Sequence, residues 1–553
     1  MNKVVTIISF FFFCSASFAG VNFKNGNFYI SYTDHNFSSN NGVEITRTYN
    51  SKASGAGLFG NGWGCYYETF LMVIGDGTLV VAEHGAGAKT VFETGTLEED
   101  LLVNCLNQLS AAAIKNNDIN NNPSAVAAYK EKLRNNQEQR HTAWFKYLQL
   151  NLIQPYNNVI NTIWQSADMG FQTIVKIDEN NYKRVSSDGF ELFNNKGQLL
   201  AEYDKYNKLK FRISYNKTGK IETLEDAVGN ELKFTLNANN LITAIKSSKG
   251  TSIYKYDGKD LIETLDVNGN VYKHTYDDRY NMTSIIYSDN TKMLIEYYST
   301  TYYTKKVTDR NNKSTSYVYV QFFDDNGAVN DDHYATYVIK QNESEQLDSN
   351  YYEYEIKAQA SGVRYTYRIA TIINQVKTET IYDENGSPLS IVRGNNSTTF
   401  KYNSKGGLLY KETKNEIFNT TYNETETKIL RYEVINKYYK DTTVYTYTYN
   451  EKDDLVYGTE DTLWVKLHYS PEHRISKMEF NNGIIYFEYN AIGKPNMMKM
   501  EGDTQGMINI AYDENGEIKK VESKDGNSMS IKITTAFQQL LKITKPSGMS
   551  LGL

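Results

Sequence analysis

Asp and His residues of the kind that bind metals are concentrated near the middle of the chain. Asp324-Asp325-Asn326-Gly327 is followed closely by Asp331-Asp332-His333. Clustered carboxylates are typical of calcium and other metal sites, but this segment lacks the regularly spaced ligands and the closing Glu of a calcium-binding hand. We interpret it as a solvated turn, and the sequence accordingly predicts no metal site and no cofactor.

The segment Glu83–Thr90, which contains His84, superficially resembles a phosphate-binding loop. It fails that test because Lys89 is not preceded by Gly and the four-residue spacer is absent, so a hairpin loop is favoured. The histidines are scattered over positions 35, 84, 141, 274, 333, 468 and 473. Neither a His-Glu-x-x-His motif nor a Gly-x-Ser-x-Gly nucleophile elbow occurs. We therefore expect no catalytic residues and no enzyme activity, with a hidden glycan-acting enzyme as an alternative.

The composition indicates strands joined by tight turns. The 553 residues include 46 Tyr and 36 Gly but only 6 Pro, and aromatic residues favour strands whereas Gly favours turns. Hydrophobic residues make up 40% and charged residues 22%, which excludes collagen, a fully disordered chain and a multi-span membrane protein. The net charge of −6 offers no basic excess to a phosphate backbone, so no nucleic-acid partner is expected.

The first nineteen residues have the pattern of a secretory signal peptide. Lys3 precedes an apolar run from Val4 to Phe13, and Ser17-Phe18-Ala19 supplies the small residues of a cleavage site. A membrane anchor is disfavoured because the run is shorter than the ~20 residues of a spanning helix. A lipoprotein signal ending at Cys14 is disfavoured because a large residue precedes it. We expect cleavage after Ala19 and export to the periplasm, the cell surface or the medium.

Residues 97–168 have helical periodicity between two regions of β character. Apolar residues at three-to-four spacing predict a helix over 98–116, and Ser124 is expected to cap a second helix over about 125–150. Pro155 ends that pattern, and a third short helix is predicted over 158–166. We interpret the segment as a helical insertion packed on a β scaffold, with a dedicated partner-binding arm as the alternative.

Cys65 and Cys105 are the cysteines that remain after the predicted signal peptide. An exported protein could oxidise them to a disulfide. Two separate buried thiols are favoured instead, since Cys105 lies on a predicted helix. Two cysteines and few histidines also make no zinc set.

A short unit repeats through residues 169–535. It consists of an aromatic or apolar residue, Asn or Asp, two variable residues, Gly, Asn or Asp, one variable residue and an aliphatic residue, as in Tyr215-Asn216-Lys217-Thr218-Gly219-Lys220-Ile221. Most copies recur about every 20 residues, which indicates a repeat architecture. The leading residues of the copies stand at positions 193, 215, 236, 256, 276, 382, 402, 422, 449, 469, 489 and 512.

The residue types of this unit predict a hairpin. Asn or Asp folds its side chain onto backbone N–H groups two residues on, and Gly tolerates the positive φ of a tight connection. The leading Tyr and the trailing aliphatic residue lie on the flanking strands, where they pair across strands. The acidic Asp513-Glu514-Asn515-Gly516 occupies the same turn position. Successive hairpins therefore predict one long, winding antiparallel sheet.

The Tyr-Asp-x-x-Gly unit resembles the YD repeat of the rearrangement-hotspot (RHS) family. Glu44-Ile45-Thr46-Arg47-Thr48-Tyr49-Asn50-Ser51 and Gly57-Leu58-Phe59-Gly60-Asn61-Gly62-Trp63 are similar to segments that open the RHS core. The resemblance covers nearly the whole chain after the signal peptide except 97–168. It implies a β-sheet strip that spirals into a hollow shell, often one that encloses a carboxy-terminal toxin.

The sequence departs from that family pattern at its carboxy-terminal end. No Asp-Pro-x-Gly-Leu self-cleavage motif occurs, and we expect a short member without self-cleavage or a carboxy-terminal toxin. The repeat number favours a partial or open shell. The expected divisions are a signal peptide (1–19), the region that opens the RHS core (20–96), the insertion (97–168), the repeat sheet (169–535) and a tail (536–553).

Three functions remain open from the sequence. The favoured one is an exported, non-enzymatic scaffold for cell-surface or interbacterial interaction, whose partner is a protein or carbohydrate at a cell surface. The second is a shell component that encapsulates or delivers a separately encoded toxin polypeptide. The third is the glycan-acting enzyme, with its site in the insertion or the lumen.

Overall fold

A computed structural model describes most of the chain after the predicted signal peptide. The described residues are 19–37, 43–53, 55–85, 88–95, 98–166, 171–341, 347–359, 364–490, 493–502, 505–512, 518–523, 538 and 540–544. The leader through residue 18, the predicted turn at 513–516 and most of the predicted tail lie outside this set. None of the helices within these ranges is both long enough and apolar enough to cross a membrane.

Short strands form three small sheets at the amino-terminal end. The strands are β1 Ala19–Asn22, β2 Asn27–Asn36, β3 Glu44–Asn50, β4 Ala56–Gly57, β5 Gly60–Asn61, β6 Trp63–Cys65, β7 Phe70–Val73, β8 Leu79–Ala82 and β9 Lys89–Phe92. One sheet has four strands in the order β1, β2, β3 and β6. The second consists of β4 and β5, and the third of β7, β8 and β9. A 3-10 helix, Tyr66–Glu68, follows β6.

Three helices follow: α1 Glu99–Lys115, α2 Pro123–Arg134 and α3 Gln137–Gln149. The first predicted helix is confirmed. The second prediction is wrong because two helices occupy its range: the chain breaks at Asn135-Asn136, where the Asn136 side chain caps α3. Ser124 is not the cap of α2, since the Asn122 side chain accepts the Ala125 N–H at 2.8 Å.

The predicted third short helix is also wrong, because residues 163–166 form a strand. This strand, β10 Ile163–Ser166, pairs with β11 Gln172–Lys176. Its Trp164 is buried and donates its indole N–H to the Gly77 carbonyl at 2.8 Å. Pairing with a strand that follows it, and burial against a loop far away in sequence, outweigh the apolar spacing that predicted a helix.

Within the described residues, β10, β11 and the strands after them form one antiparallel sheet of 33 strands, each hydrogen-bonded to its neighbours in sequence. This confirms the predicted repeat sheet. After β10 and β11 the strands are β12 Asn181–Ser186, β13 Gly189–Asn194, β14 Leu199–Asp204, β15 Leu209–Tyr215, β16 Ile221–Asp226, β17 Glu231–Leu236, β18 Ile242–Ser247, β19 Gly250–Asp257, β20 Asp260–Leu265, β21 Val271–Tyr276, β22 Met282–Ile286, β23 Lys292–Tyr297, β24 Thr304–Thr308, β25 Ser314–Phe323, β26 Val329–Gln341, β27 Leu347–Ala358, β28 Arg364–Ile373, β29 Val376–Tyr382, β30 Pro388–Arg393, β31 Asn396–Tyr402, β32 Leu408–Glu412, β33 Glu416–Tyr422, β34 Ile429–Asn436, β35 Thr442–Tyr449, β36 Leu455–Glu460, β37 Leu463–Tyr469, β38 Ile475–Phe480, β39 Gly483–Tyr489, β40 Pro495–Gly502, β41 Gly506–Tyr512 and β42 Ile518–Ser523.

The turns of the repeat have the local geometry that the sequence predicts. The Asn216 side-chain oxygen accepts the backbone N–H of Thr218 and of Lys220, each at 3.0 Å. Gly219 has a φ of +78°, a conformation that a residue with a side chain rarely adopts. One Asn and one Gly therefore close each hairpin of this type.

The large sheet bends around the amino-terminal sheet. Tyr66 donates its hydroxyl to Glu191 of β13 at 2.6 Å, whereas the Phe23 ring lies 4.4 Å from the Tyr352 ring of β27. Those two strands are 14 spacings apart, roughly 67 Å at ~4.8 Å per strand. A small sheet can contact both only if the large sheet curves, so we name the contacted face the inner face.

The sheet also returns to its own earlier strands. Tyr206, in the turn between β14 and β15, donates its hydroxyl to Asp454, in the turn between β35 and β36. The Lys405 ammonium, between β31 and β32, lies 4.2 Å from the centroid of the Phe171 ring, which precedes β11. Both contacts join positions 21 strands apart. The sheet therefore coils once in about 21 strands, a circumference of roughly 100 Å and a diameter of roughly 30 Å.

Residues 540–544 cover the inner face at the other end of the coil. Leu540 and Ile543 are buried in a cluster with residues of β33 to β41. Tyr447 donates its hydroxyl to the Ile543 carbonyl at 2.9 Å. A Cβ on Gly458 would lie only 2.9 Å from Ile543, so the absence of a side chain at Gly458 leaves space for residues 540–544 to pack. The first strand of the sheet, β10, does not pair with the last, β42, and the coil is open, as predicted.

Candidate functional site

Between its two packed regions, part of the inner face belongs to neither buried cluster of the described residues. One buried cluster joins the amino-terminal sheet to the inner face as far as β26, and a second begins at Phe418 in β33. Strands β27 to β32 lie between them. The inner face of this window combines half-buried aromatic and aliphatic side chains with threonines. The aromatic and aliphatic ones include Tyr354, Ile369, Tyr382, Ile391, Phe400 and Tyr402, and Thr371, Thr380 and Thr398 lie between them on the same face.

A shallow groove of about 360 Å³ opens at one edge of this window. Ile369 and Tyr382 form its apolar wall, and Arg364 and Glu384 supply opposite charges at its rim. Aromatic rings that carry a hydroxyl suit contacts with another polypeptide or with a carbohydrate. Within the part of the chain that the structure describes, the window is thus a section of the inner face that neither buried cluster covers.

The outer face of the same strands has a charged cluster. The His333 Nε2 atom of β26 lies 2.9 Å from Glu353 Oε1 of β27. Arg368 of β28 donates to Glu353 at 3.1 Å and to Glu355 at 2.7 Å. Its other terminal nitrogen donates to Glu379 of β29 at 2.9 Å. Four adjacent strands therefore contribute to one ionic network.

The electrostatics of this cluster favour the ionised form of the Glu353 carboxylate. Partial burial tends to raise the pKa of Glu353, but hydrogen bonds from His333 and Arg368 hold it below its ordinary value. Glu379 and Glu353 in turn raise the pKa of Arg368, which is hydrogen-bonded to both. The sequence singled out the first member, His333, but placed it in a solvated acidic turn. Its true partners, Glu353 and Glu355, were missed because they come from the next strand.

The acidic residues that the sequence grouped with His333 have separate roles. Asp324 accepts the backbone N–H groups of Asn326 and Ala328, each at 2.9 Å, and thereby closes the turn between β25 and β26. Asp332 accepts a hydrogen bond from Arg364 instead. The interpretation as a turn is therefore correct for residues 324–327, whereas His333 belongs to the strand that follows.

A second polar cluster lies beneath the amino-terminal region. The Tyr66 hydroxyl donates to Glu191 at 2.6 Å and to Glu202 at 2.8 Å, and Arg184 pairs with Glu191 at 3.2 Å. His84 contributes only an edge-on ring contact to Tyr66 at 5.2 Å. Burial raises the pKa of Glu191 despite Arg184. This network fastens the amino-terminal region to β12–β14.

The two RHS-like segments dock the amino-terminal sheet onto the coil. Arg47 of the first segment donates to Asp34 at 2.7 Å with both side chains fully buried. Asp34 also accepts the Tyr254 hydroxyl of β19 at 2.8 Å. In the second segment, Trp63 donates to the Tyr276 hydroxyl of β21 at 3.0 Å. Gly60 has a φ of +95°, and a Cβ there would meet the Lys259 carbonyl at 2.3 Å.

The two cysteines are separate buried thiols, as favoured from the sequence. Cys65 lies in β6 beside the Glu68 carboxylate, whose oxygen accepts the Cys65 backbone N–H at 2.9 Å. Cys105 lies on α1 within the apolar cluster that packs the helices on β7 and β8. Burial raises the pKa of both thiols, so neither is activated as a nucleophile.

Parts of the chain are similar to a known family model and to solved structures. A family model described as "Domain of unknown function (DUF6531)" matches residues 19–92. This stretch contains both docking segments. No curated protein matches the sequence.

Several solved Tc toxin structures are similar to part of the chain. A TcdB2-TccC3-Cdc42 crystal structure is 11% identical over 64% of this chain and 22% of that chain, with a TM-score of 0.42. A TcdB2-TccC3-TEV structure is 10% identical over 95% and 28%, with a TM-score of 0.43. A Tc holotoxin pore from Photorhabdus luminescens is 9% identical over 65% and 24%, with a TM-score of 0.37. The chain thus spans less than a third of each of these solved chains.

Proposed function

We propose that the protein is an exported, non-enzymatic scaffold of the RHS type that binds a macromolecule at a cell surface. The observation that carries this proposal is the window on β27–β32, which neither buried cluster of the described residues covers. The inner face is filled on one side by the amino-terminal sheet and on the other by residues 540–544. A window of half-buried aromatic and aliphatic residues between two filled regions suits a partner rather than further packing.

The rest of the geometry supports a scaffold rather than a catalyst. The Glu191 and Glu202 carboxylates share the Tyr66 hydroxyl, and Lys210 pairs with Glu202 at 2.7 Å. These groups are therefore engaged in joining two layers of the protein. Structural ion-pair networks perturb pKa values as active sites do, so the raised pKa of Glu191 is assigned here to docking.

A site-specific cross-linking experiment tests the proposal. A photoreactive phenylalanine analogue replaces Phe400, which faces the window, and in a matched variant it replaces Lys401, which faces outward on the same strand. Each protein is produced with its own leader and irradiated on intact cells. We expect a discrete cross-linked partner from position 400 and none from position 401. Equal cross-linking at both positions, or none at 400, would contradict the proposal.

A shell that holds a separately encoded toxin is the second candidate, and the same window favours it. A coil of roughly 30 Å diameter has room for little beyond one inner layer, because layers pack ~10 Å apart. The amino-terminal region already forms that layer along β13–β26. Any cargo would therefore lie in the window and beyond it. Recovery of a toxic polypeptide as the partner cross-linked at position 400 would select this function over surface contact.

A further inference from the structure

Three potential metal ligands meet on the outer face of β26 and β27. The ligand atoms of His333, Glu353 and Glu355 all lie within 4.8 Å of one another. His333 and Glu355 are directly opposite each other in the β26–β27 pair, so their side chains share a face. We propose that these three residues form a binding site for a divalent transition-metal ion, with zinc as the best-suited probe.

The imidazole is already held in position. Its ring is stacked on Phe322 of β25 with 3.6 Å between the centroids and 2° between the planes. The Nε2 atom points at Glu353, which also accepts the Tyr351 hydroxyl at 3.2 Å. Metal sites depend on such neighbours, because they fix the orientation of each ligand before the ion arrives.

The donor types select the class of metal. One imidazole nitrogen and two carboxylates suit zinc and its neighbours, whereas calcium and magnesium prefer oxygen ligands alone. Two donors on a tetrahedral zinc lie roughly 3.3 Å apart. The His333–Glu353 separation of 2.9 Å needs to widen by only a few tenths of an ångström. Three protein ligands leave a fourth position open to solvent or to a partner.

Arg368 is the competitor for the same carboxylates. Its guanidinium donates to both Glu353 and Glu355, so a metal ion must displace at least part of this contact. Glu379 lies outside the proposed ligand set, so Arg368 can keep its hydrogen bond to Glu379 when a metal ion binds the other two carboxylates. Lys377 lies 3.9 Å from Glu379. Three carboxylates thus face two cations, and the excess negative charge favours a further cation.

Zinc binding to the full-length chain tests the proposal. Equilibrium dialysis with zinc at neutral pH, read out by elemental analysis, is expected to give one saturable site. His333→Ala removes the nitrogen ligand and is expected to weaken binding by ~10-fold or more. His468→Ala is the matched control, because His468 also pairs with a glutamate at 2.7 Å on the outer face, and no third metal ligand accompanies that pair among the described residues.

The remaining outcomes distinguish a metal site from a closed ionic network. Arg368→Gln removes the competing cation and is expected to strengthen zinc binding. Circular dichroism spectra recorded in the absence of metal check that each variant retains its folded sheet. The proposal is overturned if the unsubstituted chain shows no saturable zinc site, or if His333→Ala and His468→Ala bind zinc equally. Either result would mean that the carboxylates of Glu353 and Glu355 serve only to pair with Arg368.

Discussion

The hydroxyl of Tyr469 donates to the backbone carbonyl of Leu455 at 2.8 Å. Tyr469 leads one repeat unit, and Leu455 is the aliphatic residue that ends the preceding unit. The same bond recurs along the sheet, for example from Tyr256 to Ile242 at 2.6 Å and from Tyr489 to Ile475 at 2.8 Å. The repeated Tyr therefore links consecutive hairpins through the backbone, in addition to packing its ring.

Removal of one such hydroxyl should weaken the coil measurably. Tyr469→Phe keeps the ring but leaves the Leu455 carbonyl without this donor. We expect the free energy of unfolding in urea to fall by about 1 kcal/mol. Tyr438→Phe is the control, since Tyr438 is 83% exposed, and it should change the stability little. Equal effects of the two substitutions would show that the linking hydrogen bond contributes nothing.

The buried Arg47–Asp34 pair should respond non-additively to substitution. Arg47→Met leaves the Asp34 carboxylate buried without its cation, and we expect a loss of about 3 kcal/mol or more. Asp34→Asn together with Arg47→Met removes both charges and should be less destabilising than Arg47→Met alone. Denaturant unfolding of the single and double variants measures this. Additive losses would contradict the assignment of the pair as a desolvated ion pair.

Glu68 should make the stability depend on pH. Burial raises its pKa to about 7, although the N–H groups of Leu58 and Cys65 oppose this. The folded state thus binds a proton more tightly than the unfolded chain, so this contribution to stability is complete below about pH 4.5 and is lost as pH rises towards 7. The expected change is on the order of 1–3 kcal/mol.

Glu68→Gln tests the pH dependence directly. Unfolding free energies at several values between pH 5 and 8 should have a shallower slope in this variant than in the unsubstituted protein. Glu225→Gln changes an exposed carboxylate that pairs with Arg212 at 2.7 Å and serves as the control. If Glu68→Gln leaves the slope of the unfolding free energy against pH unchanged, a group other than Glu68 causes the pH dependence.

The sequence predicted the local structure of the repeat because a single unit contains all the information that its turn needs. Asn216 and Gly219 close their hairpin through contacts within five residues. The 20-residue period then places each hairpin beside the last. The same locality explains α1, whose apolar spacing is continuous. The prediction from local spacing fails at Asn135-Asn136, where a helix cap separates α2 from α3 although the apolar spacing continues as in a single helix.

The candidate sites were harder to predict because their members are far apart in sequence. His333 and Glu353 are 20 residues apart, and no motif marks that spacing as a ligand pair. Tyr206 and Asp454 are 248 residues apart and meet only because the sheet completes a turn. Arg47 was visible as part of an RHS-like segment, but its burial against Asp34 depends on the docked sheet. These contacts depend on the curvature of the sheet, which builds up over many strands and cannot be predicted from the sequence of one repeat.

The repeat sheet coils back on itself after about 21 strands, as the contact between Tyr206 and Asp454 shows. Spin labels at Lys205→Cys and Glu451→Cys test this coiling, because both sites are exposed turn positions and Cys65 and Cys105 are buried. A label pair at positions 205 and 311, ten strands apart, serves as the control and should report a separation near the coil diameter, roughly 30 Å.

Double electron–electron resonance between positions 205 and 451 is therefore the most direct measurement. The coil predicts a narrow distribution shorter than roughly 25 Å, about five strand spacings, and shorter than that of the control pair. An uncoiled sheet would place the two positions about 100 Å apart, and the absence of any dipolar signal between them would show that the sheet does not coil back on itself.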